Sequence, residues 1–453
     1  MKKKYEMDMC NGLLLSKILL YTIPLIFSGI LQLLFNAADM IVVGRYAGSN
    51  ALAAVGATSS LINLITNVFL GLSVGSNVLV AHYYGAKRDE DLKITVHTSV
   101  ALSLVCGVIL LAIGMGLASP LLSLMGTPDA ILPYAVSYME IYFIGMPVML
   151  LYNFGAAILR ALGDTKRPLY YLLFSGVINV ILNLLFVIQF SMDVRGVALA
   201  TIISQAISAM LITRCLMKLD GPCRLELKSL CFNKEKIIRI ARVGLPAGFQ
   251  GAIFSISNVL IQSSVNSFGA IAVAGNTATG NLEGFIYISM NSFHQTALSF
   301  TGQNMGAKKA DRVKKTLVYC ELCVIVTGLV MGLVGMHFGT SLLKIYSDKA
   351  DVIAFGLRRM KIIFSSYFLC GTMDVIVGSL RGMGYSIMPM IVSLLGACGL
   401  RIIWIMTIFQ ISRSPEILYF SYPVSWLITT IVHIICFFIV AVPMLKTLSY
   451  RNE

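Results

Sequence analysis

Three polar side chains, Gln32, Asn36 and Asp39, interrupt the first long apolar segment of the chain. At 100° per residue they fall within about 60° of one another, so a helix presents all three on one side. An ionisable group inside a membrane span is costly enough that function is its default explanation. Asp39 is therefore the leading candidate for a carboxylate that binds a cation or a proton. The alternative is an acid at the outer membrane interface that pairs with Arg45.

Neutral polar residues in later apolar segments are suited to the same site. They are Asn153, Asn179, Asn183 and Thr201. Their oxygens can help to coordinate a dehydrated cation, and their side chains can hydrogen-bond a protonated carboxyl. Each of them alone can equally be a hydrogen bond between two helices. The prediction of a joint site depends on Asp39 needing partners.

The second half of the chain carries other ionisable residues in its apolar segments, the acids Glu283 and Asp374 and the cation Arg401. Arg401 is the deepest apparent cation and the expected partner of one of the two acids. A structural Asp374–Arg401 pair and a proton-carrying Asp374 both stay open. The candidates for lining a substrate cavity are Gln32, Asn36, Gln250, Asn291 and Gln295.

The segments that must position these residues are long and apolar. Hydrophobic residues make up 57% of the 453 residues and charged residues 12%, which is too little polar surface for a soluble globule of this size. Windows of about 20 apolar residues predict twelve membrane helices. These lie near 17–45, 52–82, 94–118, 131–158, 168–190, 195–217, 237–266, 271–302, 316–343, 357–379, 387–410 and 417–444.

An internal repeat with a constant offset of 221 residues relates the two halves. The sequence LRALG at 159–163 returns as LRGMG at 380–384, and GAK at 85–87 returns at 306–308. The repeat predicts an all-α integral membrane protein with two six-helix lobes. An even number of spans in each copy makes the repeat parallel, with a pseudo-two-fold axis along the membrane normal.

The most polar stretch of the chain divides the predicted lobes. We expect an N-terminal lobe at 1–217, a cytoplasmic linker at 218–236 and a C-terminal lobe at 237–453. Pro24 in the first span and Pro246 in the seventh lie at matching places and are predicted to kink their helices.

The basic residues behind the net charge of +14 are concentrated in loops on one predicted side of the membrane. The charge therefore does not indicate a nucleic-acid partner. If Lys2, Lys3 and Lys4 are cytoplasmic, about 26 of the 35 Lys and Arg residues fall on that side, as the positive-inside rule requires. We therefore predict a multi-pass protein of the cytoplasmic (inner) membrane, with both termini in the cytoplasm. We expect contact with membrane lipids and a monomeric chain.

The residue pattern does not favour an enzyme. The five histidines are dispersed and no Asp-x-x-x-Asp pair occurs, although a membrane prenyl or glycosyl transferase needs such groups near one membrane face. The ten cysteines are scattered, so we expect no cofactor and no metal beyond a possible Na+ at Asp39.

The duplicated bundle with polar groups in its helices favours a secondary transporter. A flippase for a lipid-linked precursor is the alternative, and its need for cations in the cavity could be met only by Arg401.

Several stretches together resemble the multidrug and toxic compound extrusion (MATE) family. They are Asn36-Ala37-Ala38-Asp39 through Val43-Gly44-Arg45, 159–165, 303–307, 380–382 and 401–404. The resemblance is greatest to the bacterial DinF-like branch and covers nearly the whole chain. It implies two six-helix lobes around a central cavity and the export of organic cations or amphipathic drugs in exchange for H+ or Na+.

The resemblance also implies where the coupling ion binds. In the DinF-like branch this site lies in the N-terminal lobe, and the matching positions here are Asp39, Asn153, Asn179, Asn183 and Thr201. Archaeal members carry an aspartate at the position of Asn183, so Asp39 would be the single acid of this lobe. The NorM-like branch places an acid in the seventh helix, and 247–265 contains none. Coupling through the second lobe would then fall to Asp374 or Glu283.

Overall fold

A computed structural model describes residues 6–450 of the chain; Lys2, Lys3 and Lys4 lie outside them. The long helices are α1 Leu14–Val42, α2 Ser49–Gly85, α3 Asp89–Leu124, α4 Leu132–Ile144, α5 Met146–Ala161, α6 Lys166–Leu184, α7 Asp193–Met217, α8 Lys234–Asn266, α9 Ala270–Gly306, α10 Ala310–His337, α12 Ala350–Gly382 and α16 Pro415–Cys436. The shorter ones are α11 Gly339–Lys344, α13 Ile387–Ser393, α14 Leu400–Met406, α15 Ile408–Ile411 and α17 Val442–Tyr450. Four π-helical segments extend these helices at Val43–Ala47, Leu185–Gln189, Leu394–Gly399 and Phe437–Ala441.

The predicted all-α membrane architecture is confirmed. Within residues 6–450, 10 helical segments are long and apolar enough to cross a membrane, and the α4–α5 pair, bent by 50°, makes an eleventh span. The predicted span at 271–302 corresponds to α9, which has 37 residues but no 18-residue stretch as apolar as those of the ten segments. Polar side chains spread along α9 explain why an apolar window detects it least well.

One compact unit consists of Phe27–Ala252 together with the N-terminal residues up to Asp8. Its core is a continuous apolar cluster that includes Tyr83, Phe143 and Phe154. Close helix contacts occur where a residue has no side chain: a Cβ on Gly107 of α3 would lie 2.9 Å from the backbone nitrogen of Pro147 in α5. Small residues at such places let two helix backbones approach closely in a membrane.

The first part of α8 belongs to this same unit. It packs on α2 through glycines, since a Cβ on Gly244 would lie 2.6 Å from the Cα of Leu72. At its N-terminal end, the buried Lys236 donates from Nζ to Asp91 Oδ1 at 2.5 Å and to the Tyr83 hydroxyl at 2.8 Å. The two contacts hold the start of α8 against the adjacent ends of α2 and α3.

The linker predicted at 218–236 also folds onto the first unit. It contains two short 3₁₀ turns, Gly221–Cys223 and Leu227–Ser229. The Glu226 backbone N–H donates to His97 Nε2 at 3.0 Å, and the Glu226 carboxylate lies 3.1 Å from Lys93 Nζ. The predicted boundaries of the lobes stay predictions, since the contact-based units divide α1 and α8 part-way along each helix.

The other compact unit consists of Met9–Ile26 and Ile253–Glu453. Here the first part of α1 packs on α9: the Tyr21 hydroxyl donates to Ser299 Oγ at 2.9 Å, and the hydroxyls of Thr22 and Thr296 are 2.7 Å apart. Both α1 and α8 run as continuous helices through their internal prolines, Pro24 and Pro246. The kinks predicted there stay predictions.

The internal repeat is visible in the backbone. Three pairs of residues separated by 221 positions share a positive φ angle: Gly48 and Gly269 (both 89°), Lys87 and Lys308 (54° and 57°), and Gly163 and Gly384 (92° and 94°). Positive φ is uncommon for residues other than glycine, so its recurrence at Lys87 and Lys308 is informative. The two halves of the chain therefore repeat the same turns as well as the same helices.

Candidate functional site

Asp39 lies near the end of α1 and accepts a hydrogen bond from α6. The side-chain amide of Asn183 donates from Nδ2 to Asp39 Oδ1, and also to Asn179 Oδ1 at 3.2 Å. Asn183 is fully buried and Asn179 is 5% exposed. Because these two asparagines are one helical turn apart, α6 presents both amides on the face that meets Asp39.

One polar atom of this cluster has no partner. Asn183 Oδ1 is buried and accepts no hydrogen bond from residues 6–450, which is a costly arrangement in a protein interior. A carboxylate oxygen from Asp39 and amide oxygens from Asn179 and Asn183 form the kind of oxygen set that suits a hard cation. The same atoms can hydrogen-bond a protonated carboxyl, since an amide offers both donors and acceptors. The residues therefore fit either H+ or Na+ as the ion that Asp39 binds.

Two tyrosines on α4 complete the surroundings of Asp39. The hydroxyls of Tyr138 and Tyr142 lie within electrostatic range of the carboxylate, and their rings stack with centroids 5.9 Å apart. Sequence reasoning missed both residues. Their spacing of four places them on one helix face and is the signal that could have identified them.

Asn153 and Thr201, which were predicted to join this site, make other hydrogen bonds. Asn153 Nδ2 donates to the Met149 carbonyl at 2.8 Å, and Thr201 Oγ1 donates to the Val197 carbonyl at 3.0 Å. Both bonds are within the residue's own helix. Thr201 does border a small, partly open pocket, lined by Tyr142, Gly145, Met149, Thr201, Ile202 and Gln205. A coupling role for Asn153 and Thr201 stays a prediction.

The structure gives Glu283 a different cation from the one expected. Arg359 of α12 forms an ion pair with Glu283 of α9 and donates to Asn276 Oδ1 at 2.6 Å. The Tyr419 hydroxyl donates to the same Asn276 oxygen at 3.1 Å. Arg359 was overlooked because it lies at the start of a predicted span, where a cation is usually assigned to the membrane interface.

Arg401 is not the partner that the sequence suggested. Its guanidinium donates from Nε to Ser425 Oγ at 2.9 Å and lies 4.1 Å from the centre of the Tyr422 ring and 5.4 Å from that of Trp426. Within the described part of the chain, no ion pair joins Arg401 to Asp374 or to Glu283. Aromatic faces can hold a guanidinium in place of a carboxylate.

Asp374 is buried in α12 near another cation, Arg381. The two residues are seven positions apart, which places them on one face of the helix two turns apart, and their charges interact. The Asp374 backbone carbonyl accepts a 2.6 Å hydrogen bond from Nδ1 of His294 on α9. Arg381, the second residue of the repeated 380–384 motif, was missed as a neighbour of Asp374.

The five residues proposed to line a cavity differ in exposure. Gln32 and Asn36 are exposed, Asn291 and Gln295 are half-buried, and Gln250 is 5% exposed. Gln32 and Asn36 therefore remain accessible on the face of α1 that leads to Asp39. Their contact with a substrate stays a prediction.

Known proteins resemble this chain over most of its length. It is 29% identical to a probable multidrug resistance protein, YoeA of Bacillus subtilis, over 84% of each chain. It is 25% identical to an FAD transporter of Shewanella oneidensis, over 72% of this chain and 73% of that protein. A MOP superfamily transporter from Pyrococcus furiosus has the same fold, with a TM-score of 0.91 at 21% identity, covering 99% of this chain and 100% of that one.

The family assignment follows from two matches in one chain. Residues 24–185 and residues 246–407 each match MatE, one match in each half of the internal repeat. Members of this family are transporters and not enzymes, and they need no cofactor. The chain belongs to the MatE family, the multidrug and toxic compound extrusion transporters, and is a multi-pass membrane protein.

Proposed function

We propose that the protein exports small organic cations or amphipathic drugs in exchange for H+ or Na+, by alternating access. The observation that carries the proposal is the hydrogen bond from the buried Asn183 amide to Asp39. A carboxylate held between helices by a neutral, reorientable amide can bind an ion and release it again. A carboxylate locked to an arginine would be less able to do so.

In the proposed cycle, Asp39 takes an ion from outside and releases it to the cytoplasm. Among the described residues, Asp39 is the acid of this cluster and Asn179 and Asn183 are neutral. Turning the Asn183 amide by half a rotation would replace its donor by its unpartnered Oδ1, which could then face a bound cation. Occupancy of Asp39 would thus change the contact between α1 and α6, and competition for the carboxylate would couple the two fluxes.

The rival proposal of a lipid-precursor flippase has less support. It depends on free cations that bind pyrophosphate, and Arg401 is engaged by Ser425, Tyr422 and Trp426. One relative is named as an FAD transporter, so an anionic nucleotide substrate is worth testing beside cationic ones. We also propose a monomer in the inner membrane with both termini in the cytoplasm, which the basic inner loops support.

The test is efflux of a fluorescent organic cation from proteoliposomes, with a pH gradient and a Na+ gradient imposed separately. We expect one gradient to drive efflux and Asp39→Asn to abolish it. Asp129→Asn is the matched control, because it makes the same chemical change in the exposed loop between α3 and α4. Unchanged efflux in Asp39→Asn would overturn the assignment of Asp39. If the protein transported FAD and no organic cation, an anionic nucleotide would replace organic cations as the proposed substrate class.

A further inference from the structure

Glu321 is an acid deep within α10 that belongs neither to the coupling cluster nor to any ion pair among residues 6–450. α10 begins at Ala310, so Glu321 lies three turns, about 16 Å, along the helix. Both carboxylate oxygens are buried and lack a hydrogen-bond partner within the described part of the chain. The sequence indicated a span beginning near 316, which placed Glu321 close to a helix end and hid it among interfacial residues.

Helix geometry directs Glu321 towards α12. Glu321 and Gly328 are seven residues apart and lie within about 20° on one face. A Cβ on Gly328 would lie 2.8 Å from the Cα of Phe368, so this face is in tight contact with α12. The exposed side of α10 carries other residues, including Val318 and Leu322 at 62% and 54% exposure.

The polar group that faces Glu321 across this contact is the hydroxyl of Thr372. Thr372 Oγ1 is buried and, among the residues that the structure describes, also lacks a hydrogen-bond partner. Since α10 and α12 are antiparallel and Gly328 meets Phe368, Thr372 lies one turn further along α12, in the direction of Glu321. Two unsatisfied polar groups therefore meet inside an otherwise apolar helix contact.

Charged groups on the neighbouring elements do not compensate Glu321. On α9, Tyr287 and His294 interact with Asp374 and Arg381, and Cys370 on α12 interacts with Asp374. On α10 itself, Cys320 and Cys323 flank the acid. Other cations of adjacent elements, including Lys344 on α11, Arg358 and Lys361 on α12 and Lys446 on α17, are exposed.

An ionised carboxylate in this position would be unstable. Burying a charge without a counter-ion costs several kcal/mol even where a single hydroxyl, here that of Thr372, can donate to it, and membrane spans provide no water to offset that cost. A protonated carboxyl is neutral and can donate its O–H to the Thr372 hydroxyl. The packed arrangement of α10 and α12 therefore accommodates the protonated form.

The first half of the chain shows that the fold does not need this polar pair. The 221-residue offset places Val100 opposite Glu321 and Leu151 opposite Thr372 in the repeat. Val100 is 1% exposed, and Leu151 packs against the same apolar core. Two apolar residues thus fill the equivalent helix contact, so a purely structural requirement does not explain an acid in the second copy.

We propose that Glu321, facing Thr372, is a proton-binding site of the second unit, distinct from Asp39. The carboxyl is protonated while α10 and α12 are packed together. When they separate, the O–H bond breaks, the proton passes to water and the carboxylate remains. Proton binding at Glu321 does not depend on the proposed transport activity; its use in coupling rests on that proposed function.

Infrared difference spectroscopy in lipid nanodiscs tests proton binding directly. The parent protein is Asp39→Asn, which removes the candidate carboxyl of the first unit, and Asp374 is present in every variant compared. We expect a protonated-carboxyl band at neutral pH that disappears in Glu321→Gln and persists in the control Glu416→Gln, whose side chain is 42% exposed and pairs with Arg358. A spectrum unchanged by Glu321→Gln would overturn the proposal, whether or not the parent transports any substrate.

A second variant separates protonation from folding. Glu321→Val supplies the residue of the first repeat and is expected to fold and to lose the same band. Persistence of the band in folded Glu321→Val would also overturn the proposal. In proteoliposomes with Asp39 intact, Glu321→Gln should flatten the pH profile of efflux while Glu416→Gln should not. Failure of wild-type efflux under both gradients would instead remove the proposed function and leave the infrared result standing.

Discussion

Asn183 of α6 and Asp39 of α1, separated by 144 residues, are joined by a direct side-chain hydrogen bond. The bond fixes the end of α1 against α6, and Asn183 also contacts Asn179 one turn away. A neutral amide can reverse its donor and acceptor atoms without moving the helix. The state of the Asp39 carboxylate is thereby connected to a second helix.

Replacing Asn183 by leucine should impair ion coupling without removing the acid. The Asn183→Leu variant keeps a similar volume but leaves Asp39 without its donor. The lost bond stabilises the empty, ionised carboxylate, and hydrogen bonds to charged groups contribute about 1.5–3 kcal/mol. With H+ as the coupling ion we therefore expect roughly tenfold to hundredfold tighter binding and correspondingly poor release. The measurement is gradient-driven efflux as a function of ion concentration.

Ser175→Ala is the control for that variant. Ser175 is buried in the same helix, and its hydroxyl donates to the Leu172 carbonyl at 3.1 Å. Its removal should leave the apparent ion affinity within about twofold, because the lost bond is internal to α6. An Asn183→Leu protein with wild-type ion affinity would show that the amide has no part in coupling.

Most residues of the Asp39 site could be inferred from the sequence, whereas the partners of the buried arginines could not. Asp39, Asn179 and Asn183 stand out because polar residues at helical spacing in apolar segments are conspicuous. Arg401 was assigned to an acid because distance along the chain does not reveal which helix faces which. Its aromatic neighbours Tyr422 and Trp426 became apparent only from the fold.

Removing one partner of the Glu283–Arg359 ion pair should destabilise the protein more per residue than removing both. The two side chains are only 14% and 8% exposed, so removing one partner leaves a buried charge. We expect Glu283→Leu and Arg359→Leu each to lower the free energy of unfolding by about 3–5 kcal/mol, and the double variant to lose less than their sum. Unfolding in mixed detergent micelles measures all three.

An exposed pair next to it provides the comparison. Arg358 and Glu416 are 61% and 42% exposed and their charged atoms lie 3.6 Å apart. Disrupting that pair with Arg358→Leu should change the free energy of unfolding by about 1 kcal/mol or less. Strictly additive losses at Glu283 and Arg359 would contradict the buried pairing.

Cysteine labelling tests whether the linker is folded onto the first unit. Burial raises the pKa of the Cys223 thiol to about 12, and the carboxylates of Glu6 and Asp89 add to the effect. The reactive thiolate is therefore scarce at neutral pH. We expect N-ethylmaleimide to label the half-buried Cys231 before Cys223, as measured by peptide mass spectrometry. Labelling of Cys223 should rise with increasing pH or on unfolding, and equal rates in the native protein would refute the folded linker.

The repeated glycines Gly163 and Gly384 provide a matched pair of variants. Their φ angles are 92° and 94°, so alanine is strained at both positions, at a cost of about 1–2 kcal/mol. A Cβ on Gly163 would also lie 2.7 Å from the backbone nitrogen of Met7, whereas no described residue lies within 4 Å of one on Gly384. Gly163→Ala should therefore lower the melting temperature further than Gly384→Ala in thermal unfolding followed by size-exclusion chromatography. Equal shifts would mean that the segment around Met7 moves aside at no cost in stability. A larger shift for Gly384→Ala would contradict the packing of that segment against Gly163.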